Sequence, residues 1–288
     1  MRNFPTQKHS ERVEMRLFVL VAVTMTAFAA NSVLNKFGLA DGATDPGAFA
    51  LIRVLAGAIM LCALVLLRGG RVPLLERARI GGALTLALYM AGFSLAYTTL
   101  EAGVGALILF GVVQITMFGA ALWRAERVPA MRWFGSCLAL GGLAYLLWPA
   151  GAGVPDALGA AFMTAAGIGW GLYSLAGAKV PDPLAATAGN FVLCLPVLMV
   201  VFIGAYDISF EGAVAGIISG AVTSALGYAL WYTVLPKLET TVAAVAQLTV
   251  PVIALAGGIM FLGEALTMRF AIASVLVLGG VALSLRRA

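Results

Sequence analysis

The feature that most constrains this chain is a series of apolar runs, each about twenty residues long, joined by connections too short to hold a domain. They lie at 15–39, 46–67, 79–99, 102–123, 130–148, 156–179, 184–205, 212–235, 240–262 and 267–285. An α-helix needs about 20 such residues to cross hydrocarbon, and a spanning segment must satisfy its own backbone hydrogen bonds. Barrel strands would instead alternate polar and apolar residues over about ten positions, and these runs do not. The expected fold is an all-α membrane protein with ten transmembrane helices. Composition agrees, with 62% hydrophobic and 11% charged residues where soluble domains carry about 25% charged.

The net charge of +5 could suggest a nucleic-acid partner, but its distribution argues against one. Arg2, Lys8, Arg12 and Arg16 precede the first run. Arg68, Arg71, Arg77 and Arg79 lie between the second and third, and Arg124, Arg127 and Arg132 between the fourth and fifth. Lys179, Lys237, Arg286 and Arg287 fall on the same side, so this side holds 15 of the 18 basic residues. The other side has only Lys36 and Arg269, with Asp41, Asp45, Glu101, Asp156, Asp207, Glu211 and Glu264. Basic connections stay in the cytoplasm, which puts both termini there. Ala27-Phe28-Ala29 after a basic head resembles a signal-peptide cleavage site, but the apolar run continues to Leu39 and reads as a retained span.

An offset of 138 residues aligns the chain with itself. Glu101 meets Glu239, Glu126 meets Glu264, and Gly141-Gly142 meets Gly279-Gly280, while Val104, Val112 and Ile115 meet Val242, Val250 and Ile253. The division is a tail at 1–14, a first five-helix repeat at 15–150 and a second at 151–288. An odd number of spans inverts the second repeat, as in secondary transporters whose substrate site lies near the midplane between repeats.

Chemistry-bearing motifs are few. Cys62, Cys137 and Cys194 lie inside runs without metal or disulfide spacing, and the single histidine, His9, sits in the polar tail. Gly167, Gly169 and Gly171 mimic a nucleotide loop but fall within a run, where small residues let helices approach. The chain is not expected to be an enzyme, and no cofactor or metal is expected.

The stretch "TTVAAVAQLTVPVIALAGGIMFLGEALTMRFAIASVLVLGGVALSL" at 240–285 resembles the signature of the drug/metabolite transporter superfamily, EamA-like branch. Its marks are a proline midway along the ninth run, a Gly-Glu in the following loop and a Gly-Gly in the tenth. The first half echoes it in "RAERVPAMRWFGSCLALGG" and carries Val113-Gln114 where the second has its proline. Among members, the chain most resembles the bacterial aromatic amino-acid exporters. That resemblance implies a ten-helix basket around a central cavity and net outward movement of amino acids.

Polar and aromatic residues inside runs face a bundle interior or a cavity. Thr24, Phe28, Asn31 and Asn35 form one stripe of the first run; Tyr89, Phe93 and Tyr97 do so in the third. Gln114 stands among apolar neighbours in the fourth. The sixth brings Trp170, Tyr173 and Ser174, the eighth Ser224, Tyr228, Trp231 and Tyr232, and the ninth Gln247 with Pro251 as a hinge. Phe28, Asn31, Asn35, Tyr89, Phe93, Gln114, Trp170, Tyr173, Ser174, Tyr228, Tyr232 and Gln247 are the expected substrate contacts. Interhelical hydrogen bonds would satisfy the same amides, and Tyr97 and Trp231, near span ends, suit interfacial belts. Arg53 could meet a substrate carboxylate, but pairing with an outer acid such as Asp45 or Glu101, or snorkelling outward, is the favoured expectation.

The thirteen Asp and Glu residues occupy tails, loops or span ends, so a proton has no titratable path across. The expected function is export of aromatic and other apolar amino acids across a bacterial inner membrane, by alternating access without proton coupling. A drug or quaternary-cation exporter and a non-transporting membrane scaffold are the rivals. The partners expected are a small-molecule substrate and membrane lipid, with no nucleic acid; oligomeric state stays open, and a monomer is compatible. A reporter active only in the periplasm should stay silent when fused after Ala288 and respond when fused near Asp156 or Asp207. Periplasmic activity at the C-terminus would overturn the topology.

Overall fold

The computed structural model describes residues 7–40, 42–123, 129–149, 153–177, 180–204, 206–234, 237–238, 246–247 and 249–284. Its helices are α1 (Gln7–Leu39), α2 (Pro46–Leu67), α3 (Arg77–Ala96), α4 (Ala102–Trp123) and α5 (Ala130–Leu147). Then come α6 (Ala157–Gly177), α7 (Pro183–Val201), α8 (Phe210–Val234), α9 (Thr249–Leu262) and α10 (Met268–Ser284). No strand occurs among the described residues. Seven helices, α1 to α4 and α6 to α8, are long and apolar enough to cross a membrane; the apolar stretches in α5, α9 and α10 are shorter. Much of the expected tail is already helical, because Lys8, Glu11, Arg12 and Glu14 are good helix formers with no breaker before the first run.

Packing follows a paired scheme. As α3 lies on α6, α8 lies on α1; as α4 lies on α6, α9 lies on α1; as α2 lies on α8, α7 lies on α3. Contacts of α2 with α7, α4 with α9 and α5 with α10 complete the set. Large apolar side chains such as Leu67, Phe210, Met260 and Val275 are exposed on the outside, whereas Thr24, Asn31, Asn35, Arg53, Ser94, Ser219 and Ser224 are buried. That is the distribution expected where lipid, not water, wets the surface.

Close approach depends on missing side chains. Gly167 packs on Val112, Gly169 on the backbone of Thr85 and Tyr89, and Gly171 on Thr116, so the apparent nucleotide loop is a helix-packing stripe. The Gly-Glu of the resembled signature also has a structural task. Glu264, in the turn between α9 and α10, reaches the start of α4, where Oε1 accepts from Ala102 N at 2.5 Å and Oε2 from Gly103 N at 3.4 Å. A carboxylate there satisfies two of the N–H groups that a helix start leaves unpaired. Burial pushes this carboxyl above its ordinary value, and the two N–H donors oppose that rise. Its repeat counterpart Glu126, like Glu239, lies outside the described residues.

The crossing of α2 and α8 is the tightest at the core. A Cβ added to Gly220 would stand 2.0 Å from the carbonyl oxygen of Arg53. Backbone cannot yield as a flexible side chain can, and overpacking of this kind costs about 1–3 kcal/mol. Gly220→Ala should therefore lower the melting temperature in detergent by several degrees, and an unchanged melt would show that the crossing is loose.

Candidate central site

Arg53 sets the geometry. It is wholly buried on the second turn of α2, which overturns the expectation that it pairs with Asp45 or Glu101 or snorkels outward. Its Nη2 donates to Tyr89 Oη at 3.0 Å, and Nε and Nη2 both reach Ser224 Oγ at 3.3 Å. Its Cζ stands 4.9 Å from the ring centroid of Phe93 and 5.5 Å from that of Tyr89, a cation–π arrangement. Nη1 is buried without a hydrogen-bond partner, and no carboxylate pairs with this guanidinium among the described residues. The reason for the miss is that α8 and α3 enclose this turn of α2, and one sequence does not reveal that neighbourhood.

Four residues of α1 and α8 form the next layer. Asn31 Oδ1 accepts from Ser219 Oγ at 2.9 Å, Thr223 Oγ1 at 2.5 Å and Ser224 Oγ at 3.3 Å. These hydroxyls converge because Ile218–Leu226 is a π-helical stretch, whose wider turn brings positions four and five apart onto one face. Such bulges recur at functional sites. With its carbonyl engaged by these hydroxyls, Asn31 also lines a small cavity. Asn35 sits one turn away in the same network, donating to Asn31 O at 2.9 Å and accepting from Ser94 Oγ at 3.2 Å.

The cavity is enclosed by Phe28, Asn31, Ser32, Tyr89, Phe93, Leu109, Phe110, Trp170 and Tyr228, and it holds only about 20 Å³, room for about one water. Six expected contacts thus meet: Phe28, Asn31, Tyr89, Phe93, Trp170 and Tyr228. Trp170 fills the middle, stacked on Tyr228 at 5.4 Å and on Tyr173 at 5.6 Å, with Tyr89 at 5.1 Å. Tyr173 and Tyr232 line a separate, larger cavity of about 330 Å³ between α3, α6 and α7. Trp170 and Tyr173 are therefore the partition between two chambers.

The remaining expected contacts lie elsewhere. Ser174 Oγ donates to Trp170 O at 2.7 Å within its own helix. Gln114 and Gln247 are half-buried outside both cavities. Pro251 is buried near the start of α9, and most of the segment before it, where a kink would show, lies outside the described residues. Tyr97 is buried with its hydroxyl on Ala102 O at 3.3 Å and its ring against Phe93, and Trp231 is buried against Phe28. Neither forms an interfacial belt, because both rings are taken up by interior aromatic packing. Ser219, Thr223, Arg79, Thr187 and Asn190 were missed. The polar spacing of Ser219, Thr223 and Ser224 was a usable signal, but only with a π-helical period.

Apolar helices facing outward around a polar and aromatic interior define a helical membrane protein. A family model described as the EamA-like transporter family matches residues 157–286. An uncharacterized protein of Pseudomonas aeruginosa is 44% identical over 94% of this chain and 95% of its own length. An uncharacterized transporter of Archaeoglobus fulgidus is 24% identical over 95% of this chain and all of its own. A solved crystal structure superposes with a TM-score of 0.65 at 19% identity, covering 92% of this chain and 98% of its own, which is a likeness of fold. The second half of the chain, residues 157–286, thus matches the EamA-like transporter family.

Asn31→Leu would leave the buried hydroxyls of Ser219 and Ser224 without their acceptor, whereas Thr223 would keep Ser219 O. Each unsatisfied buried group costs about 1–3 kcal/mol, so the variant should melt well below wild type, and Asn31→Asp, which retains the acceptor, should recover most of the loss. Equal melts for all three proteins would remove Asn31 from this central role.

Proposed function

We propose that this protein is a bacterial inner-membrane exporter of small metabolites bearing a carboxylate on an apolar or aromatic body, with aromatic and other apolar amino acids foremost. Ten spanning helices in two inverted five-helix halves, both termini cytoplasmic, would rock about the central site in alternating access. The helix pairing supports the two-half scheme, since the principal contacts, such as α3 with α6, α4 with α6 and α2 with α8, have their counterparts five helices on.

One observation carries the substrate class: a guanidinium, without a carboxylate partner among the described residues, lies behind Tyr89 and Phe93, two of the residues that line the aromatic pocket. Arg53 donates to the Tyr89 hydroxyl, which polarises that group's own proton toward the pocket. Together with the Asn31 amide this offers two neutral donors beside a buried positive charge, an environment that favours an anion. The same charge weighs against a quaternary-cation exporter, because the faces of Tyr89 and Phe93 already receive Arg53. The cavity is too small for an amino acid as it stands, so loading would require the Trp170 stack to part.

The uncoupled reading rests on missing parts. A guanidinium is not a proton carrier, and the described acids, such as Glu76, Glu101 and Glu264, sit at helix starts or in turns. Liposomes loaded with labelled phenylalanine, at equal pH inside and out, should exchange it for external phenylalanine, and tetraethylammonium should not compete. Arg53→Gln should weaken phenylalanine at least about tenfold, the equivalent of about 1.4 kcal/mol. A steep dependence on an imposed proton gradient would refute the uncoupled reading, and competition by the cation would refute the carboxylate reading.

A further inference from the structure

The larger cavity, between α3, α6 and α7, has polar equipment that helix packing does not use. Arg79, near the start of α3, is 5% exposed, and its Nε stands 3.4 Å from Glu76 Oε2 without a hydrogen bond. Asn190, on α7, is also 5% exposed. Its Nδ2 donates to Tyr173 Oη at 3.3 Å, that hydroxyl donates to Thr187 Oγ1 at 3.2 Å, and Thr187 donates to Pro183 O at 2.8 Å. The chain of donors runs one way and ends on a backbone carbonyl, which leaves Asn190 Oδ1 as a buried acceptor with no partner. A buried carbonyl oxygen left unsatisfied costs about 1–3 kcal/mol, and this one belongs to a residue that lines the cavity.

The two groups are neighbours. Gly82, one turn after Arg79, has no side chain where a Cβ would meet the Asn190 amide at 2.7 Å, and a Cβ on Gly189 would lie 3.8 Å from Arg79 Cδ. The cavity they line, with Glu76 at its edge, holds about 330 Å³, at the lower bound of the range for small-molecule sites. It therefore sets a cationic donor, a neutral acceptor and an exposed carboxylate in one chamber. Tyr173 forms part of its wall and stacks on Trp170 of the central pocket.

We propose that this chamber is a second, loading station for the head group of an α-amino acid, taking the carboxylate on Arg79 and the ammonium on Asn190 Oδ1 with Glu76 nearby. The proposal rests on the amino-acid reading of the central site and adds where and how the ammonium is recognised, which the central pocket with Arg53 does not provide. The solute is held on the side of the α2–α3 and α6–α7 connections, cytoplasmic in the proposed topology, until the Trp170–Tyr173 partition opens.

The test uses the full chain in liposomes of known orientation, with labelled phenylalanine as probe and 3-phenylpropionate, which lacks the ammonium, and 2-phenylethylamine, which lacks the carboxylate, as competitors. Wild type should favour phenylalanine over both when loaded from the α2–α3 side. Asn190→Leu should raise the half-saturation from that side about tenfold and abolish the preference over 3-phenylpropionate, while Asn190→Asp, which keeps an acceptor, preserves it. Arg79→Gln should abolish the preference over 2-phenylethylamine. From the opposite side both variants should stay within about twofold of wild type. Gly82→Ala, which crowds the Asn190 amide, gives an independent variant with the same expected one-sided defect should Asn190→Leu fail to fold. Unchanged half-saturation on both sides, or an equal rise on both, would overturn the loading station alone. Failure of wild type to bind or move phenylalanine would overturn the functional reading and the station with it.

Discussion

A guanidinium enclosed by helices, with no carboxylate to neutralise it among the described residues, is the constraint around which this interior is arranged. Removing such a charge from water costs several kcal/mol, so every neighbour of Arg53 compensates: a phenol, a hydroxyl shared by two of its nitrogens, and two ring faces. Those neighbours come from α3 and α8, so the charge ties three helices together. The shared hydroxyl of Ser224 in turn bonds Asn31, which adds α1. Gly220 allows α8 to approach α2 closely enough for the contact to exist. The π-helical stretch then has a plain reason, since a regular helix would not turn Ser219, Thr223 and Ser224 together toward one amide.

Aromatic packing divides the interior into two chambers. Trp170 lines the smaller cavity and stacks on Tyr173, which lines the larger one. Stacked rings are a suitable partition because offset stacking is worth only about 0.5–1.5 kcal/mol per pair beyond burial. A substrate ring can replace such a contact at little net cost. On this view the small central pocket and the larger chamber beside it are two stages of one path.

The fold was legible to the extent that it follows from solvent. Hydrocarbon requires long apolar helices with satisfied backbones, and those runs lie close to the observed helices except at the start of α1, which reaches back to Gln7, and of α9, whose expected beginning falls largely outside the described residues. Phe28, Asn31, Tyr89, Phe93, Trp170 and Tyr228 were identifiable because aromatic and amide groups at helical spacing are conspicuous in an apolar run. Arg53 was misjudged, because its distance along the helix suggested access to the membrane surface. Asn190 and Thr187 drew no notice, because a short polar residue within a span has many possible partners.

By itself, then, the sequence determined the environment, the approximate span limits, the internal repeat and the polar residues that had to face inward. Each of these follows from the cost of placing particular groups in lipid and is decided one helix at a time. Only the tertiary structure decided which inward groups meet. Tyr89, Ser224 and Arg53 lie far apart in the chain, and their contact depends on crossings set by Gly220 and on a local change of helical period. The same is true of the division between the chamber of Tyr173 and Tyr232 and the pocket of Phe28 and Asn31. Helical periodicity assigns a residue to a face, whereas a binding site requires knowing which faces share a space.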